Sequence, residues 1–181
     1  MGWEAEWMEA LELIRSLTAR PAIRSFTDRA VPPEVLTQIA DIARWTGSAR
    51  NRQPWRFIAV HDRAHLEKLG TLGAYAQHIA SAPCALILLS AENGFQDTEF
   101  DIGKVSQTAI LAATALGLGS CLATIYPEDN VAQAAQLLQV EPGWLPHHAI
   151  SIGYPGTPMT GSRAIASGRL RVEELLSTLR P

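Results

Sequence analysis

Arginine is the residue type whose placement here most invites chemistry. It recurs at three separated places outside the helical patterns: Arg20 and Arg24 in RPAIRSF, Arg50, Arg52 and Arg56 in and beside SARNRQPWRF, and Arg163, Arg169 and Arg171 in the tail. A guanidinium offers its donors as a planar fork that matches a phosphate. Flanked by small residues in a chain of net charge −3, such groups suit either an anionic ligand or a solvated surface. The stretch SARNRQPWRF, residues 48–57, adds Ser48, Asn51 and Gln53 and closes on Pro54, Trp55 and Phe57. It is too polar for a core strand and too aromatic for an idle loop.

Other chemistries lack their signatures. There is no G-x-S-x-G, H-E-x-x-H, P-loop lysine pattern or C-x-x-C, so the common hydrolase, zinc and nucleotide-hydrolysis motifs are all missing. GLGSCL, at 117–122, follows a helix and precedes a strand, the reverse of a dinucleotide-binding turn. His147 and His148 are adjacent in a strand-like segment, where neighbouring side chains point to opposite faces, so they are not expected to share an ion. Asp97, Glu99 and Asp101 read as an acidic first helical turn favoured by the helix dipole. Cys84 and Cys121 read as buried thiols in a reducing compartment.

The elements that must position these groups are legible from periodicity. Trp3, Trp7, Leu11, Ile14 and Leu17 form the stripe of a first amphipathic helix, ended near Arg20 and Pro21. Pro32 and Pro33 open a second helix with Val35, Leu36, Ile39, Ile42 and Ala43 on one face. FIAVHD at 57–62 predicts a strand, and ALILLS at 85–90 a more deeply buried one, with short helices near 64–70 and 74–80 between them. Residues 100–118, rich in Ala and Leu, predict an interior helix stopped by Gly117 and Gly119. CLATI at 121–125, a helix at 128–139, a strand within 147–155 and a last helix at 172–179 complete an α+β chain.

With 181 residues, 47% of them hydrophobic and 18% charged, the chain fits one globular domain spanning 1–181. The mild acidity argues against nucleic acid or an anionic membrane as a general partner. CALILLSA at 84–91 is too short to span a bilayer, and the acidic MGWEAEWMEALEL is no signal peptide, so the expected location is the cytoplasm.

Four segments carry a resemblance to the FMN-dependent nitroreductases. RPAIRSF resembles their opening R-R-S-x-R-x-F, and SARNRQPWRFIAV their P-S-x-x-N-x-Q-P-W-x-F. DIGKVSQTAILAATALGLGSC is similar to their central helix, and GRLRVEELL at 168–176 to their late R-K-P-L-E-E. Order and spacing agree from about residue 10 to 176.

The resemblance implies an α+β nitroreductase-like fold, a small mixed or antiparallel central sheet flanked by helices, and a homodimer sharing two FMN sites. It implies that Arg20, Pro21, Ala22, Arg24 and Arg169 meet the FMN phosphate end, Arg169 coming from the closing element. Ser48 and Asn51 would reach the ring and ribityl chain from the partner subunit, with Gln53 bracing their loop, and Leu122, Ala123, Thr124 and Ile125 would line one side of the isoalloxazine. Electrons would pass from NAD(P)H through the flavin to a nitroaromatic, a quinone or another electron-poor acceptor, with no dedicated acid–base side chain. The same resemblance covers relatives that use FMN for dehydrogenation, reductive dehalogenation or flavin consumption, and a non-catalytic flavin binder. This chain departs from the family pattern at Pro21, Ala22, Gly47 and Thr108, which implies a weaker grip on FMN.

Overall fold

The structure, a computed structural model, describes residues 3–157 and 168–179. Its strands are β1 (Trp55–Val60), β2 (Cys84–Ala91), β3 (Gly119–Thr124) and β4 (Trp144–Gly153). They form one sheet in the order β1-β2-β4-β3, antiparallel at every pairing. The helices are α1 (Trp3–Thr18), α2 (Pro33–Ala43), α3 (Arg63–Leu69), α4 (Gln77–Ala80), α5 (Thr98–Ala115), α6 (Glu128–Leu137) and α7 (Val172–Leu175).

β2 explains why the sheet has helices on both faces. Its side chains alternate between the two sides, and almost all are apolar and buried. Leu86 and Leu88 join Ile150 and Ile152 of β4 in packing against Leu36 and Ile39 of α2 and Ile102, Val105 and Ala109 of α5. Ala85, Ile87 and Leu89 face the other way, onto Leu66 and Leu69 of α3, Ile79 of α4, and Val131 and Ala134 of α6. Each buried Leu or Ile contributes about 1.5–3 kcal/mol relative to exposure, so this three-layer core is the main source of stability.

Local signals end the elements where chemistry requires. Gly117 has φ +76°, and the Leu118 amide bonds back to the Ala113 carbonyl at 2.9 Å while Gly117 bonds to Thr114 at 3.0 Å. That pair of bonds closes α5 as the glycine pattern predicts. β1 begins two residues earlier than the sequence pattern suggests and leaves His61 and Asp62 outside, because Asp62 caps α3 through its side chain and the His65 amide at 2.9 Å.

One expectation about the ends of the chain is corrected. The segment expected as a helix over 172–179 is helical only over Val172–Leu175, and Leu176 is already extended. So short a helix is marginal without packing, and Leu175 and Leu176 are exposed. Helix α1 forms as its periodicity predicts, yet its apolar stripe is not covered: Leu11 is 47% and Ile14 56% exposed. Among the described residues no helix is long and apolar enough to cross a membrane.

Candidate functional site

The polar loop at 48–53 is built under strain and held from one side. Arg50, Asn51 and Gln53 all have φ near +50°, the left-handed region that non-glycine residues avoid at a cost of about 1–3 kcal/mol each. The Ser48 hydroxyl accepts the Gln53 amide at 2.8 Å, and Gln53 donates its side-chain amide to Asn51 at 3.2 Å. Beyond the loop, Pro54 and Trp55 are buried, and Trp55 joins the α2–α5 core. The aromatic half is therefore core, and the polar half is displayed, with Asn51 and Gln53 exposed and Ser48 half-buried.

What fastens the loop lies on α5. Asp101 is 1% exposed, accepts the Ala49 amide at 3.0 Å and pairs with Lys104 at 3.0 Å. Lys104 also donates to the Gly47 carbonyl, and Arg52 pairs with Asp97 while its guanidinium sits 4.2 Å from the Phe95 ring centroid. Burial pushes the Asp101 carboxyl up, but the Ala49 amide, the Lys104 ammonium and the Arg52 guanidinium outweigh it and hold the group below its usual range. Asp97 and Asp101 thus do more than favour a helix dipole. Their spacing with Lys104 puts all of these groups on one face of α5, a pattern visible in the sequence whose partner in the loop was not.

The opening basic segment lies across the ends of β3 and β4. The Ile23 amide bonds to Ser120 at 2.9 Å, Thr27 to Tyr154 at 2.9 Å, and Phe26 bridges Pro155. Gly119 permits this approach, because a Cβ there would come within 2.7 Å of the Ile23 side chain. Arg20, Pro21, Ala22 and Arg24 are exposed along it.

The Arg24 guanidinium lies beside the Cys121 thiol and close enough to His78 to disfavour its protonation. Burial first, then Arg24, holds His78 below its ordinary pKa. Ser151 donates to the Cys121 carbonyl at 3.3 Å, so the 2.7 Å bond between His78 Nδ1 and Ser151 Oγ has the ring as donor. His78 Nε2 is then a buried acceptor with no hydrogen-bond partner among the described residues. Both cysteines are free and buried, and burial pushes Cys84 up to about 12.

Strand β3 divides the segment 122–125 between its two faces. Leu122 is 42% exposed and Thr124 also faces outward, on the side where α5 leaves the edge strand uncovered. Ala123 and Ile125 turn into the core beneath α3, α4 and α6, and the Ile125 amide is committed to the His147 carbonyl at 2.8 Å.

The other arginines are dispersed. Arg56 pairs with Glu141 at 2.6 Å and stacks over Trp144 at 4.3 Å, and Arg171 pairs with Glu173 at 3.2 Å. Arg169 bonds to its own neighbour's carbonyl, Gly168, at 3.1 Å and is not brought against Arg20 or Arg24 by any described hydrogen bond. Arg163 lies outside the described residues.

His147 and His148 overturn the expectation that they diverge. Leu88 pairs with His148 but Ser90 pairs with Leu145, so β4 carries one extra residue there, a bulge. The bulge breaks alternation, and both rings approach Glu99: His147 Nδ1 lies 3.7 Å from one carboxylate oxygen and His148 Nε2 3.3 Å from the other. His148 Nδ1 is 3.3 Å from Thr124 Oγ1.

Comparison with known proteins agrees with this architecture. The model of the nitroreductase family matches residues 17–73 and 71–154. A Methanothermobacter thermautotrophicus protein provisionally named NADH dehydrogenase/NAD(P)H nitroreductase is 34% identical over 149 residues, covering 80% of this chain and 78% of the relative. The FMN reductase [NAD(P)H] of Bacillus subtilis is 28% identical over 165 residues, covering 80% and 66%. A Parabacteroides distasonis crystal structure, provisionally named NADH dehydrogenase/NAD(P)H nitroreductase, superposes with TM-score 0.74 at 26% identity, covering 87% and 94%.

Proposed function

The chain belongs to the nitroreductase family, and from that membership we propose that it is an NAD(P)H-dependent flavin oxidoreductase that carries FMN and reduces a nitroaromatic, a quinone or a similar electron-poor acceptor by a ping-pong cycle. The FMN reductase name of the Bacillus subtilis relative supports the cofactor.

The observation that carries the reading is the edge of β3. An exposed guanidinium, Arg24, stands beside Cys121 on one face of this edge strand, and Leu122 and the Thr124 hydroxyl face outward on the other. A cation at the strand's edge next to an apolar, hydroxyl-bearing strip supports a ligand with a phosphate at one end and a flat ring at the other. The exposed Arg20 adds a second guanidinium on the same segment as Arg24.

In this reading Arg20 and Arg24 hold the phosphate as fork donors, and Arg169 joins them from the closing segment. Pro21 has no amide to offer and Ala22 no hydroxyl, so the two guanidinium groups carry more of that task. Leu122 supports one side of the ring and excludes water from it, Thr124 stands at the ring's edge beside the acceptor, and Ala123 and Ile125 contribute only backbone. The loop bearing Ser48 and Asn51 stands displayed on Asp101, with Gln53 setting its turn. Bound FMN supplies hydride acceptance from a nicotinamide and electron delivery to the acceptor. The protein orients both reactants over the same place.

The uncovered Leu11 and Ile14 of α1 support a homodimer, in which the displayed loop reaches the partner's cofactor. Purified protein should show flavin absorbance near about 370 and 450 nm, and anaerobic NADH or NADPH should bleach the longer band, as a reducible flavin requires. Absence of both bands after FMN is added would overturn the proposal.

A further inference from the structure

We infer that Glu99, His148 and Thr124 form a proton relay opening onto the acceptor side of the site, an inference that rests on the proposed flavin chemistry. Both ring nitrogens of His148 are engaged at 3.3 Å, Nε2 with the Glu99 carboxylate and Nδ1 with the Thr124 hydroxyl. His148 is only partly exposed, its side chain at 22%, while Thr124 lies on the open face of β3. A carboxylate, an imidazole and a hydroxyl thus stand in line from α5 to the edge of the sheet.

The fold assembles this row by two devices. The bulge in β4 turns His147 toward α5 as well, so the second imidazole meets the other oxygen of Glu99 at 3.7 Å and the carboxylate is bracketed. Thr124 is the register partner of His148 across β3 and β4, which brings hydroxyl and ring together on one face. The groups facing His148 are therefore Glu99 from α5, His147 from its own strand and Thr124 from β3.

The chemistry balances as follows. Two-electron reduction of a quinone adds one hydride equivalent, drawn from the cofactor of the proposed function, and leaves an anionic oxygen. Thr124 Oγ1 donates its proton to that oxygen, imidazolium Nδ1–H of His148 replaces it, and solvent restores the ring proton. The hydroquinone leaves with two electrons and two protons gained. In the neutral ring Glu99 accepts Nε2–H and so keeps Nδ1 free toward Thr124, which makes Glu99 a positioning residue.

Two measurements test this. The first is the ¹⁵N shifts of the His148 ring in the protein as purified. The neutral ring should carry its proton on Nε2, and Glu99→Ala should shift it toward a mixture of tautomers. A neutral ring that carries its proton on Nδ1 in the unaltered protein overturns the relay whatever the flavin content. The second is anaerobic reoxidation of the reduced protein by a benzoquinone and by ferricyanide, which takes electrons without protons. Thr124→Val and His148→Gln should lower the ratio of quinone to ferricyanide rate constants by about tenfold or more, the low end of general acid catalysis or below it. Thr124→Ser should keep that ratio within about threefold. Equal losses with both oxidants, or an unchanged ratio in Thr124→Val, would sink the relay alone. Failure of NAD(P)H to reduce any flavin would instead sink the function on which it rests.

Discussion

Strand β2 and helix α1 are both rich in apolar residues, and they meet opposite fates. β2 is buried from Cys84 to Ser90, whereas α1 keeps Met8, Leu11, Leu13 and Ile14 exposed. β2 is an unbroken apolar run with a hydrogen-bonded strand on each side, so both its faces meet helices. In α1 the apolar stripe is interleaved with Glu6, Glu9 and Glu12, and the helix packs at the edge of the molecule. The core closes without it. Apolar content alone therefore does not say whether a segment stabilises its own subunit or faces outward.

The comparison can be broken most sharply in the core. Leu88→Ala should cost about 2–5 kcal/mol in chemical denaturation, since it removes buried methyl groups between β2 and α5. A loss under about 1 kcal/mol would mean that the sheet can collapse around the cavity.

The anchor of the displayed loop comes next. Asp101→Ala leaves the Ala49 amide without its acceptor and Lys104 with only the Gly47 carbonyl, and should cost about 1–3 kcal/mol. Its carboxyl is held low in the folded state, so the anchor contributes fully above the unfolded carboxylate pKa of about 3.9 and is lost as pH falls through the lower folded value. Asp101→Ala should flatten the acid limb of a stability profile.

His78 provides a milder test at higher pH. Its folded pKa is depressed, so between the ordinary imidazole value of 6.5 and that lower value the unfolded chain takes up a proton that the native protein refuses. Stability should fall as pH drops below 6.5, and His78→Gln should remove that part of the slope. A urea midpoint that is flat with pH, in both proteins, would contradict the buried neutral ring.

The smallest effect on the folded subunit is expected at α1. Leu11→Ser with Ile14→Ser should change the stability of the isolated subunit by only about 0.5 kcal/mol, as exposed substitutions do. The same pair should move gel-filtration elution from near twice 19.6 kDa to the single-chain mass. An unchanged elution position would separate the exposed stripe from dimer formation.

Much of the scaffold was legible in residue order. The buried strand at 85–90, the long helix with its glycine stop and the odd composition of residues 48–57 all follow from period, cap and polarity. The site was legible only in outline. Periodicity marked Leu122 to Ile125 as one strand, but which of them face outward depends on where α5 and α6 lie. The anchor at Asp101 joins groups 52 positions apart, and local patterning carries no information about such a pair. The bulge that turns His147 beside His148 follows from the register against β2, which neither strand specifies alone.

What the amino-acid order determined by itself was the set of elements, because helix and strand periods, caps and turn residues act over a few neighbours. What only the tertiary structure decided was the company each side chain keeps: the carboxylate under a strained loop, two imidazoles on one glutamate, an apolar stripe left facing outward. Those outcomes depend on distances between segments far apart in the chain, and such distances are set when the layers pack.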